Sequence, residues 1–101
     1  MIVVRYTFPV KPGAEEKAVA WIKSLTDYGI PRPPLGERVY WYHFAPWCEV
    51  IHEMQFENLA EYEVFESEMA AVPRLGEAVG KVGEFLLPGG RSEVWNVEAI
   101  G

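Results

Sequence analysis

The sequence predicts an α+β fold in which one four-stranded antiparallel sheet carries helices on a single face. Segments with strand and helix periodicity follow one another in the order strand, helix, strand, strand, helix, strand, the split βαβ or ferredoxin-like plan. The chain has 101 residues, enough for one two-layer core over residues 1–101 and too few for a second domain. Half of the residues are apolar and 24% are charged, which excludes disorder, collagen and coiled coil as descriptions of the whole.

Residues 1–8 are β-branched and aromatic and stop at Pro9, so they read as a strand with Ile2, Val4, Tyr6 and Phe8 on one face and Val3, Arg5 and Thr7 on the other. Lys11-Pro12-Gly13 opens a helix whose apolar stripe is Ala14, Ala18, Trp21, Ile22, Leu25 and Tyr28, with Gly29 as its left-handed cap. Residues 30–37 hold Pro31, Pro33, Pro34 and Gly36, a stiff extended connection read as a surface crossing, with a lid over a pocket or a PxxP ligand as the other readings. Residues 38–45 and 49–56 are two strands joined at Pro46-Trp47. Asn58 with Glu61 is a capping box, and Leu59, Tyr62, Phe65, Met69 and Val72 are the stripe of a second helix. Pro73 ends or kinks it. Helical spacing resumes at Leu75, Ala78, Val79, Val82, Phe85 and Leu86, where Gly76, Gly80 and Gly83 suggest a close backbone approach or a stretch that is not one helix. After the turn Pro88-Gly89-Gly90, residues 92–100 form the last strand.

A sheet whose bare face simply met water would alternate apolar and polar residues. These strands do not: Val39-Tyr40-Trp41-Tyr42-His43-Phe44 is aromatic on both parities. A second cover is implied, and a second copy of the sheet is the simplest, giving a homodimer through that face.

Nine basic against fifteen acidic residues leave a net charge of −6, which argues against nucleic acid as a partner. The single cysteine, Cys48, allows no internal disulfide and fits a reducing compartment; its neighbour Glu49 disfavours a thiolate, so it reads as inert. No spanning segment or signal peptide is read, and the expected location is cytoplasmic, without membrane association.

Two loop residues at 46–47 would put Trp41 opposite His52 and His43 opposite Val50. His43 and His52 then share a face with Met54 and Phe56, the helix-covered side, where a shielded imidazole serves as a general base; satisfied core histidines are the plainer reading. Two imidazoles lack a third ligand for a metal. The other face would carry Tyr40, Tyr42, Phe44, Ile51, Glu53 and Gln55 with Arg5 and Thr7, an aromatic surface suited to a dimer interface or to a pocket for a planar molecule, with Arg5 and Glu53 as an ion pair. The residues expected to contact substrate are Arg5, Tyr40, Trp41, Tyr42 and Glu53. No phosphate loop, Ser-His-Asp spacing or HExxH occurs.

The Tyr40-Trp41-Tyr42 strand, the Phe56-Glu57-Asn58-Leu59-Ala60-Glu61-Tyr62 junction, the Val72-Pro73-Arg74-Leu75 break and the closing Ser92-Glu93-Val94-Trp95 resemble the dimeric α/β-barrel superfamily, nearest the antibiotic biosynthesis monooxygenase and NIPSNAP-like families. The resemblance spans nearly the whole chain and is one of pattern. It implies paired sheets holding a small apolar or aromatic molecule, in the barrel or between sheet and helices. Some such families oxygenate polycyclic compounds without metal or cofactor, others degrade haem, and many have no known activity. The haem-degrading branch uses an asparagine on its first strand, where this chain has Thr7 and none, so no cofactor is expected. Two functions follow: a cofactor-independent monooxygenase, or a related enzyme, for an aromatic or polyketide-like compound, and a non-catalytic homodimeric domain that binds a ligand or protein. An RNA-recognition module is disfavoured by the acidic strand at 49–56.

Overall fold

The alternation of apolar residues along the central strand decides the layout: Ile2, Val4, Tyr6 and Phe8 point one way and collect the helices. In the computed structural model, which describes residues 1–41 and 48–101, the strands are β1 (Ile2–Pro9), β2 (Glu37–Trp41), β3 (Glu49–Phe56) and β4 (Arg91–Asn96). They form one sheet in the order β2-β3-β1-β4, with every neighbouring pair antiparallel. This is the ferredoxin-like arrangement read from the sequence.

Helix α1 (Glu15–Lys23) is shorter than its stripe suggested: it gives way to a 3₁₀ turn at Leu25–Tyr28, which Gly29 closes at φ 82°. Helix α2 (Leu59–Ala70) starts as expected, Asn58 Oδ1 accepting from the Glu61 N–H at 2.9 Å. The carboxylate of Glu61 reaches back to the Glu57 N–H rather than to that of Asn58. Past Pro73 the chain makes a short helix α3 (Leu75–Val79) and a 3₁₀ turn at Val82–Glu84, so the glycine-bearing stretch is not one helix. A side chain at Gly76 or Gly83 would meet nothing, and one at Gly80 would press only on its own helix turn. The close approach is absent; Gly80 ends α3 and Gly83 lies in the 3₁₀ turn, while Gly76 is inside α3.

The core falls into three groups. One joins Val10, Ala18, Ile22 and Val50 to Phe85, a second joins Val4, Met54 and Phe56 to Tyr62 and Phe65, and a third joins Tyr28 and Ile30 to Ala78. Phe56 has no solvent exposure and packs its ring 5.2 Å from those of both Tyr62 and Phe65.

The β2–β3 register differs from expectation by two positions. Val39, not Trp41, faces His52, and Trp41 faces Val50, the place expected of His43. A shift of two leaves the parity intact, so each described side chain keeps its assigned face. The Pro46-Trp47 turn, Tyr42 and His43 lie outside the described residues. β4 ends at Asn96, earlier than the expected strand, after which the Val97 N–H donates to the Met1 carbonyl at 3.0 Å.

Candidate functional site

Between the sheet and its helices, where the three core groups meet, lies a cavity of about 320 Å³. Its walls are mostly apolar: Phe8, Trp21, Met54 and Phe65 from the sheet and long helices, Leu75 and Ala78 from α3. Residues 30–33 close one side, so the stiff proline connection is a pocket wall rather than a plain surface crossing. Trp21 Nε1 donates to the Ala78 carbonyl at 2.9 Å and ties α1 to α3 across the cavity.

One polar chain enters this wall from the end of α1. The last carbonyls of a helix lack intrahelical partners and attract cations. Here the guanidinium of Arg32 donates to those of Ile22 and Lys23, at 3.2 and 2.6 Å. The same group holds Glu37 Oε1 at 3.0 Å, and Glu37 Oε2 lies 2.6 Å from His52 Nε2. Because a carboxylate only accepts, the Nε2 of neutral His52 carries the hydrogen and Nδ1 keeps the lone pair. Burial pushes the imidazole below its ordinary value, against the upward pull of Glu37, and Arg32 adds to the depression. His52 is thus a neutral, oriented base near neutral pH.

A second polar chain leaves the cavity on the α2 side. The hydroxyls of Tyr6 and Tyr62 lie 2.8 Å apart, and the Tyr62 hydroxyl donates to Glu66 Oε1 at 2.9 Å. Burial and these two contacts push the Tyr62 phenol well above its ordinary value.

The opposite face of the sheet carries the other expected residues. Register places Arg38, Glu53, Arg5 and Glu93 in one row across β2, β3, β1 and β4, alternating in charge. Glu53 is only 5% exposed, yet both its oxygens are satisfied, by Arg5 Nε and by the Tyr40 hydroxyl, each at 2.9 Å. The Arg5–Glu53 pair read from the sequence is present. A shallow cup of about 260 Å³ lies beside it, lined by Arg5, Tyr40, Trp41, Glu49 and Ile51. The expected site residues therefore divide between two faces: His52 under the helices, Arg5, Tyr40 and Glu53 on the bare side, and Trp41 at the β2 edge.

Sequence reasoning missed Arg32, Glu37, Tyr6 with Tyr62, and Glu66. Starting β2 one residue earlier would have put Glu37 on the parity of Val39 and Trp41, and an acid at an inward position is the signal that was overlooked. Cys48 carries a thiol pushed up by its hydrogen bond to Glu15, in keeping with an inert side chain. Among the described residues no cluster of three His, Cys, Asp or Glu could hold a metal, and no helix is long and apolar enough to cross a membrane.

No family model and no curated protein matches the sequence. The fold is shared with solved structures of two kinds. An uncharacterised NIPSNAP-like domain protein from Burkholderia xenovorans superposes with a TM-score of 0.78 at 18% identity, over 99% of this chain and 87% of that one. A NIPSNAP family protein of unknown function from Agrobacterium tumefaciens gives 0.70 at 15% identity, over 94% and 86%. An antibiotic biosynthesis monooxygenase gives 0.66 at 13% identity, over 98% and 100%. At such identities the likeness shows a common ferredoxin-like fold, and chemistry has to be argued from the site.

Proposed function

We propose that the protein is an oxygenase that needs no cofactor and acts on a planar aromatic or polyketide-like compound held between sheet and helices, with His52 as the general base. The observation that carries this reading is an apolar cavity lined by the mostly buried imidazole of His52, which Glu37 orients through Nε2 at 2.6 Å. For an activated ring methylene, His52 takes one proton and the carbanion's electron pair passes to dioxygen. A C–O bond forms, the proton returns to the outer oxygen, and loss of water leaves a ring carbonyl; CH₂ and O₂ become C=O and H₂O. The name of the monooxygenase that shares the fold supports this class of reaction. The second base assigned is His43. Aerobic incubation with a panel of anthrones and quinols, followed by oxygen uptake, tests the reading: uptake should occur with wild type and fail in His52→Ala. Turnover untouched in both His52→Ala and His43→Ala rejects the roles given to them.

A second reading, a non-catalytic homodimer that binds a ligand or protein, is favoured by the bare face. Its alternating row of Arg38, Glu53, Arg5 and Glu93 can face an inverted copy of itself, and Tyr40 and Trp95 are exposed beside it. In that arrangement Arg5, Tyr40, Trp41, Tyr42 and Glu53 would line a chamber between two sheets. A cytoplasmic location remains part of the proposal.

A further inference from the structure

A carboxylate accepts hydrogen bonds and donates none, so in the Tyr62–Glu66 contact the proton belongs to Tyr62. Tyr62 has one proton, and with it committed, Tyr6 must be the donor in the 2.8 Å contact between the two hydroxyls. The proton of Tyr6 is thereby turned away from the cavity that Tyr6 lines. Its oxygen offers that space lone pairs only. His52 has the same character, with its Nε2 hydrogen on Glu37 and a lone pair on Nδ1. Of the donors in the lining, Trp21 spends its indole N–H on the Ala78 carbonyl, and Arg32 directs Nη1 and Nη2 to Glu37 and two carbonyls.

We propose that the cavity takes hydroxyaromatic compounds through their O–H group, and that surface-exposed Glu66 sets this preference by acting through Tyr62 on Tyr6. The inference rests on the cavity being the ligand site of the proposed function, and it is independent of oxygenation. Tyr6 contacts the ligand; Tyr62 and Glu66 are positioning residues. The raised Tyr62 phenol keeps its proton throughout the neutral range and so holds the chain in one direction. A methyl ether of the same outline brings a lone pair against lone pairs and can donate to neither acceptor, which a site built for a hydroxyl rejects.

Calorimetric titration with 4-cyanophenol and its methyl ether, at a pH where the phenol is un-ionised, tests this without turnover. Wild type should bind the phenol at least about tenfold more tightly than the ether. In Glu66→Ala the Tyr62 proton is free to turn toward Tyr6, whose own proton can then point into the cavity, and in Tyr62→Phe the acceptor for Tyr6 is gone. Both should shrink the ratio by about threefold or more. Glu66→Gln keeps an oxygen that accepts from Tyr62 and should preserve it. An unchanged ratio in Glu66→Ala and Tyr62→Phe overturns the relay, equal binding of phenol and ether to wild type overturns the ligand class, and binding of neither overturns both. A protein that keeps the ratio but takes up no oxygen with any quinol fails only as an oxygenase.

Discussion

His52 Nε2 and Glu37 Oε2 stand 2.6 Å apart across the β2–β3 pair, although His52 faces Val39 and Glu37 faces Met54 in register. The contact is diagonal, and Arg32 sets its direction from behind. Replacing Glu37 by Gln removes the negative charge that helps to raise the imidazole pKa and leaves only a neutral acceptor to oppose burial. The His52 pKa should fall further in Glu37→Gln, measured by NMR titration of the ring protons. In the oxygen-uptake assay, His52→Ala should cost about 10²–10⁴-fold in rate.

The same imidazole links stability to pH. It is harder to protonate folded than unfolded, where its ordinary value is 6.5. Between that value and the lower folded one the unfolded chain binds more protons, so stability falls as pH drops from 6.5 and levels off below the folded pKa. Urea unfolding across this window should show the loss in wild type and a flatter profile in His52→Gln.

Arg5→Met strips the guanidinium from a carboxylate that is 5% exposed. Since Arg5 itself is half-exposed and Tyr40 still donates, the cost should be about 1–3 kcal/mol, above the roughly 1 kcal/mol for Tyr40→Phe. The double variant Arg5→Met with Glu53→Met should lose less than the sum of its parts, as denaturant titration of all four proteins will show.

Native mass spectrometry should find a dimer. Ile51→Glu puts a third acid beside Glu49 and Glu53 on the bare face and should shift the population to monomer with the fold retained by circular dichroism. A wild type that stays monomeric at high concentration removes the chamber between two sheets, while the cavity under the helices is unaffected.

Phe56→Ala should cost about 3–5 kcal/mol in chemical denaturation, because the ring is fully buried between Tyr62 and Phe65.

Faces were legible in the sequence where registers were not. Parity along β3 separates His52, Met54 and Phe56 from Ile51, Glu53 and Gln55 whatever the neighbouring strand does, so the base and the Arg5–Glu53 pair could be assigned to opposite sides. The β2–β3 offset depends on the turn, and there the expectation was two residues out. Arg32 lay in a proline-rich run, where no periodicity says which way a side chain points. Tyr6 and Tyr62 are 56 positions apart, and their meeting depends on how α2 settles on the sheet, which local pattern does not encode. The glycines left two readings open, because a break in a helix and a tight contact leave the same residue type behind, and the structure has the break.

The ligand space has unequal sides. Pro31 and Pro33 fix the backbone on one flank, and Arg32 pins that flank to the end of α1. The other flank is a helix of five residues with Gly76 inside it and Gly80 at its end, with little cooperative stiffness of its own. Larger guests will therefore be accommodated by displacement of residues 75–79, and the proline flank will act as the template against which their flat rings are aligned.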